Sequence, residues 1–232
     1  MMDLSDEAWT AIVLSLKIAA VATLASLPVG ILVAHLLARG RFRGKTLLDG
    51  IVHLPLVLPP VVTGYVLLLL FGRRGPIGAF LADTFGIVLS FRWTGAALAC
   101  AVMGFPLMVR AIRLSIEAVD QRLEQAASTL GAGPVATFLL VTLPLALPGV
   151  LVGSVLAFAK ALGEFGATIT FVSNIPGETR TISAAIYTAT QTPDGDAEAL
   201  RLTVVSVVIA LTALVVSELL TRRAGAATRA GR

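Results

Sequence analysis

Five stretches of this chain are each long and apolar enough to cross a lipid bilayer, and that decides what it can fold into. A helix needs about 20 apolar residues to span the hydrocarbon of a bilayer. The stretches cover about 9–37, 47–71, 94–112, 135–159 and 202–220. None alternates apolar and polar residues as a barrel strand does. In lipid the backbone must satisfy its own hydrogen bonds, so each stretch is expected to be a helix. The expected fold is all-α and integral to the membrane, with about five transmembrane helices in a single domain over residues 1–232. Composition agrees: 56% of the residues are apolar and only 14% charged, against about 25% charged in a soluble domain.

The few charges fall between the apolar runs. The net charge of +4 does not point to nucleic acid, because the basic residues form no single face or tract. They are a topology signal, since lysine and arginine in short loops favour the cytoplasmic side. Arg39, Arg41, Arg43 and Lys45 lie in one such loop. Arg110, Arg113 and Arg122 follow the third stretch, and Arg222, Arg223, Arg229 and Arg232 follow the fifth. Five spans put all three groups on one side, giving N-out, C-in. Lys17 lies near the outer end of the first span, where its stem can snorkel. Asp3, Asp6 and Glu7 precede the first span, where a cleavable signal peptide carries positive charge, so none is expected. The lone cysteine, Cys100, allows no disulfide within the chain. Residues 178–192 are too polar for a sixth span and are expected to form an outer-face helix.

Helix breakers interrupt four of the five runs. Pro28 and Gly30 fall in the first, Pro55, Pro59 and Pro60 in the second, Pro106 in the third, and Pro144 and Pro148 in the fourth. Each alone reads as an ordinary kink. Together they favour a solute path over a straight bundle.

The cytoplasmic segment 116–134 is the most informative. Ile116, Val119, Leu123, Ala126 and Leu130 form an apolar stripe at helical spacing, with Asp120, Arg122 and Glu124 off it. Gly131 suits a left-handed residue that ends a helix. Pro134 suits the first position of the next helix. The pattern predicts a short amphipathic helix, a sharp turn and a second helix entering the membrane. Such a knob fits either a groove in a partner or the lipid surface.

The segment resembles the "EAA" loop of ABC-importer permeases. Gln125-Ala126-Ala127 takes the register of that signature, with Gly131 and then Leu143-Pro144 following. The chain departs from it at Gln125, where the family has glutamate; Glu124 stands one residue earlier. The resemblance implies a type I importer permease whose cytoplasmic coupling helix docks on an ATP-hydrolysing subunit. The coupling set it implies is Glu124, Gln125, Ala126, Ala127, Gly131, Leu143 and Pro144.

The outer segment 160–201 narrows the family. Leu162-Gly163-Glu164-Phe165-Gly166-Ala167 is similar to both sulfate and molybdate permeases, and Ile175-Pro176-Gly177-Glu178-Thr179-Arg180-Thr181 to the molybdate type. From this stretch Lys160, Glu164, Phe165, Gly166, Thr168, Asn174, Pro176, Gly177, Thr179 and Arg180 are candidates for the pathway or for contact with a binding protein. Lys160 and Glu164 stand at i, i+4 and can pair, either to touch the anion or merely to orient a helix end. A conduit for a compact dianion needs donors without a deep well. Thr168, Thr170, Ser173 and Asn174 are such donors, or loop residues bonded to their own backbone.

Gly40-Arg-Phe-Arg-Gly44-Lys45-Thr46 resembles a phosphate-binding loop but has three residues between its glycines instead of four, and a membrane helix before it. No cofactor is expected in this chain, and ATP with its Mg²⁺ belongs to the partner. His35 and His53 fall near the cytoplasmic ends of their spans, and neither sits in a catalytic motif. A non-catalytic transport subunit is therefore expected. A passive channel or structural bundle is the alternative of another class, and a sulfate/thiosulfate-type permease the alternative within this one. Two copies are expected to form the pathway between them. The resemblance adds two cytoplasmic ATPase subunits, a periplasmic or extracellular binding protein for molybdate, and a place in the bacterial inner membrane.

Overall fold

The computed structural model describes residues 5–230, and the backbone alone at 217, 218 and 220–230. Asp3, Arg232 and the side chains of Arg222, Arg223 and Arg229 lie outside the described residues. Every regular element described is a helix. Helix α1 runs Asp6–Arg39, α2 Lys45–Val57, α3 Pro60–Phe71, α4 Pro76–Phe85 and α5 Trp93–Glu117. The short α6 covers Gln121–Thr129. Then α7 (Pro134–Thr137), a π-turn (Phe138–Thr142) and α8 (Leu143–Leu162) form one continuous span. Helices α9 (Gly166–Val172), α10 (Ile182–Thr190) and α11 (Asp196–Ala230) complete the chain.

Four of these are single helices long and apolar enough to cross a membrane: α1, α5, Pro134–Leu162 and Asp196–Val216. Central α5 packs against α1 on one side and α8 on the other. One core cluster joins α1, α5 and α9 around Ile18, Met103 and Phe171. A second lies toward the other end around Leu37, Met108, Ile112 and Ile116. A third seats the start of α1 on α10 and α11. Apolar side chains left exposed, such as Leu24, Leu32 and Leu211, suit a lipid or protein neighbour rather than water.

The second expected span, 47–71, passes the same test as a bent pair and brings the count to five, but it is not one continuous helix. It is two helices, α2 and α3, bent by 116° at a short break. Leu58 and Pro59 are extended, with ψ of 143° and 136°. A residue before proline is pushed out of the helical region, and two successive prolines remove two N–H donors. At 13 residues α2 is too short to cross alone. Helix α3 then packs against α9. Their backbones meet at Gly64, where an added Cβ would come within 2.5 Å of the Ala167 carbonyl. Pro28, Pro106 and Pro148, in contrast, sit inside α1, α5 and α8 without ending them.

The stripe over 116–130 is also not one helix. Helix α5 continues to Glu117, and α6 starts afresh after Asp120, whose side chain accepts from the Arg122 N–H. Ile116, in the last turn of α5, and Val119, in the connection after it, are buried, while Leu123 and Leu130 are exposed. The expected outer helix within 178–192 is α10, with Thr181 as its N-cap. Segment 72–93, between the second and third apolar stretches, contains α4.

Candidate functional site

The first candidate lies at the basic end of the bundle, on α6. Gly131 has φ of +91°, the left-handed conformation that stops the helix. Pro134 opens α7. With α5 and α7 both tied into the bundle, α6 is held as a separate knob. Gln125 and Ala126 are exposed on it and Ala127 is half-buried.

Glu124, the acid beside the family's glutamate position, does not face outward with them. Its carboxylate accepts from the Arg39 Nε–H at 3.1 Å and from the Thr142 Oγ1–H at 2.9 Å. Arg39 Nη2 also donates to the Val119 carbonyl at 2.8 Å. The Arg39 and Glu124 side chains are only 15% and 19% exposed, so water screens this pair weakly. Three elements meet here: the last turn of α1, the knob α6 and the π-turn before α8.

The π-turn follows from Leu143-Pro144. Pro144 lacks an N–H, and its ring crowds the carbonyl four residues back, at Leu140, so the turn widens around it. Thr142 ends this widened turn and is 1% exposed, beneath Glu124. Beside the cluster opens a cavity of about 570 Å³ lined by His35, Arg39, Arg41, Lys45, Gln125 and Thr142, among others. Its walls mix apolar surface, from Ala38, Pro134 and Phe138, with the charges of Arg39, Arg41, Lys45 and Glu124. The His35 ring lies against Phe138, with centroids 4.5 Å apart.

The second candidate lies toward the opposite end. Lys160 Nζ donates to Glu164 Oε2 at 2.7 Å, and the Ala167 N–H donates to Oε1 at 2.9 Å. Glu164 is 1% exposed and Lys160 30%. The pair therefore has one deeply buried member and one that reaches open space. Glu164 acts as a cap for α9, taking an N–H that the helix itself cannot use. A charge at this depth without a partner would be strongly disfavoured.

The remaining signature residues form a braced loop. Asn174 Oδ1 accepts from Arg180 Nε, and Asn174 Nδ2 donates to Thr188. Arg180 Nη1 reaches Glu7 on α1 at 2.9 Å. The Thr179 hydroxyl accepts from the Ile175 N–H and donates to the Ser173 carbonyl. Pro176 and Gly177 form the exposed tip, with Gly177 at φ +75°. Thr168 and Thr170 donate to backbone carbonyls of their own segment. Gly166 lies against Pro60 of α3, and the Phe165 ring against Tyr187. Lys17 folds over the Trp93 ring at 3.7 Å, a cation–π contact.

The structure thus brings Glu124 together with Leu143-Pro144 through the π-turn, and Lys160 with Glu164. Glu124 and the more exposed Gln125 both line the cavity beside the cluster, but only Glu124 is bonded to Arg39 and Thr142. Arg39 and Thr142 are members of the first cluster that sequence reasoning missed. Arg39 counted only as a topology charge, and Thr142 only as part of a span. Among the described residues, no three histidine, cysteine or acidic side chains gather to hold a metal ion.

A multi-pass helical bundle with a short amphipathic helix held at its basic end defines a membrane transport component. The chain belongs to the family of binding-protein-dependent transport system inner membrane components, whose model matches residues 26–225. It is 62% identical over 221 residues to the molybdenum transport system permease protein ModB of Escherichia coli K12, covering 95% of this chain and 96% of that one. It is 40% identical over 162 residues to the sulfate transport system permease protein CysT of Salmonella typhimurium, covering 70% of this chain and 58% of that one. A solved bacterial ABC transporter that imports alginate has a chain of the same fold, with a TM-score of 0.74 at 18% identity, covering 94% of this chain and 80% of that one.

Proposed function

We propose that this chain is the membrane-spanning permease of an ATP-driven importer, and that its cargo is molybdate. The observation that carries the cargo is the near-complete, 62% identical match to a molybdenum permease. The match to a sulfate permease is weaker and shorter. Two copies enclose the pathway, with the basic end in the cytoplasm of the bacterial inner membrane. Helix α6 rests on an ATPase subunit that binds ATP and Mg²⁺, and an outer binding protein delivers the anion. This chain binds no cofactor and catalyses no reaction. Closure of the ATPase pair pushes α6, and the bundle rocks between outward-facing and inward-facing states.

The test of cargo is uptake in vesicles containing this chain, its ATPase and its binding protein. Labelled molybdate is expected to enter only with ATP, and excess tungstate but not excess sulfate should compete. Competition by sulfate would move the cargo to the sulfate type. Failure of every oxyanion, with ATP still hydrolysed, would refute oxyanion import.

Lys160 supports a shallow step for the anion. Glu164 neutralises it, yet the Lys160 side chain is 30% exposed and its ammonium has further protons to donate. A conduit needs such weak attraction, because tight binding traps the cargo. Lys160→Gln is expected to cut the uptake rate by about tenfold, the size of one charged hydrogen bond. Thermal unfolding of Lys160→Gln in detergent separates lost attraction for the anion from the lost counter-charge of Glu164, to which the glutamine amide can still donate. Unaltered uptake would leave Lys160 as a brace for Glu164 alone.

A further inference from the structure

We propose that Arg39, Glu124 and Thr142 form a latch that makes α6 carry α1 and α8 with it. It rests on the reading of α6 as the helix that meets the ATPase. A knob that merely touches the ATPase transmits nothing unless it is fastened to the bundle. Covalently, α6 connects to the foot of α5 through Ala118–Asp120 and to α7 through Leu130–Gly133. Both connections are short turns, and the second passes through left-handed Gly131.

The firm attachment is lateral. Arg39 places Nε and Nη2 on the Glu124 carboxylate at 3.1–3.2 Å. Its Nη2 also holds the Val119 carbonyl, between α5 and α6, at 2.8 Å. From the other side Thr142 donates to Glu124 Oε1 at 2.9 Å. A forked guanidinium contact fixes direction as well as distance. Glu124 is thus the one side chain of α6 bonded to both α1 and the foot of α8, among the described residues.

The elements at its two sides suit such a role. Arg39 is the last residue of a 34-residue helix, so a displacement there acts on a long lever. Thr142 closes a π-turn, a widened turn that can shift register more readily than a regular helix. The cavity next to the latch leaves room for the Arg39 side chain and α6 to move together. Arg39, Glu124 and Thr142 are positioning residues here, since none need touch the cargo.

The test uses the full complex of permease, ATPase and binding protein in vesicles, with ATP consumed per anion imported as the readout. Arg39→Gln is expected to raise that ratio about tenfold, as befits loss of a charge-assisted contact. Arg39→Lys keeps a positive charge beside Glu124 but loses the fork, and should raise the ratio less than Arg39→Gln. Thr142→Val keeps the shape, removes only the hydroxyl, and should raise the ratio about twofold to threefold. A fluorophore on Leu36→Cys, an exposed position of α1, supplies a signal independent of cargo. ATP with vanadate should shift that signal in the parent complex and much less in Arg39→Gln. The latch is overturned if Arg39→Gln and Thr142→Val both retain the parent ratio and the parent probe response. Should Arg39→Gln fail to assemble, Thr142→Val decides, and a parent ratio in it overturns the latch. If the parent complex imports no oxyanion, the cargo reading fails, and the probe still judges the latch.

Discussion

Glu164→Ala is expected to destabilise the protein by about 1–3 kcal/mol, the cost of leaving a buried N–H without its acceptor. The carboxylate is 1% exposed and serves two donors, Lys160 Nζ and the Ala167 N–H. Alanine leaves the buried Ala167 N–H without an acceptor and removes the carboxylate from Lys160, whose exposed part can still turn to another acceptor. The consequence reaches beyond one pair, because α9 starts beside this residue and α3 packs on α9. Glu164→Gln keeps an acceptor for the Ala167 N–H and should cost clearly less. Thermal unfolding of the purified chain in detergent measures both. Equal unfolding temperatures for Glu164→Ala and the parent would refute a structural role for the carboxylate.

Gly131→Val is expected to leave the chain folded but to separate ATP hydrolysis from transport. At φ +91° a β-branched residue is strained, by about 1–3 kcal/mol. Nothing lies within 4 Å of an added Cβ, so the strain comes from the backbone alone. The turn relieves it by changing angle, which tilts α6 relative to Glu124 and its partners. A strain of that size corresponds to a drop in coupled uptake of about tenfold. Gly131→Asn tolerates left-handed angles better and should retain more uptake. Uptake equal to the parent in Gly131→Val would mean that the angle of this turn does not govern coupling.

How much of this was legible in the sequence varied with the range of the interaction. The end of α6 was legible because Gly131 and Pro134 act through their own backbone. The Lys160–Glu164 pair was legible because one helical turn separates its members. The start of α6 was misread because an apolar period of three and four ran straight across Ala118–Asp120. Asp120 itself was the overlooked signal, an N-cap residue in the middle of the stripe. The break between α2 and α3 is less legible for a similar reason: each proline alone reads as a kink, whereas the adjacent Pro59 and Pro60 end a helix. Arg39 and Glu124 stand 85 residues apart, and no local pattern joins them. Thr142 reaches Glu124 only because a π-turn rotates it there, which depends on how Pro144 is accommodated.

The most direct measurement is a photo-cross-link from α6. A benzophenone amino acid at Gln125, exposed beside the half-buried Glu124, is activated in vesicles carrying the complete complex. An adduct with the ATPase subunit that shifts between nucleotide-free and ATP-bound states is the expected result. An adduct with lipid alone, from a complex that still imports molybdate, would contradict the account. It would make α6 a surface-lying helix and require the ATPase to act on the bundle elsewhere.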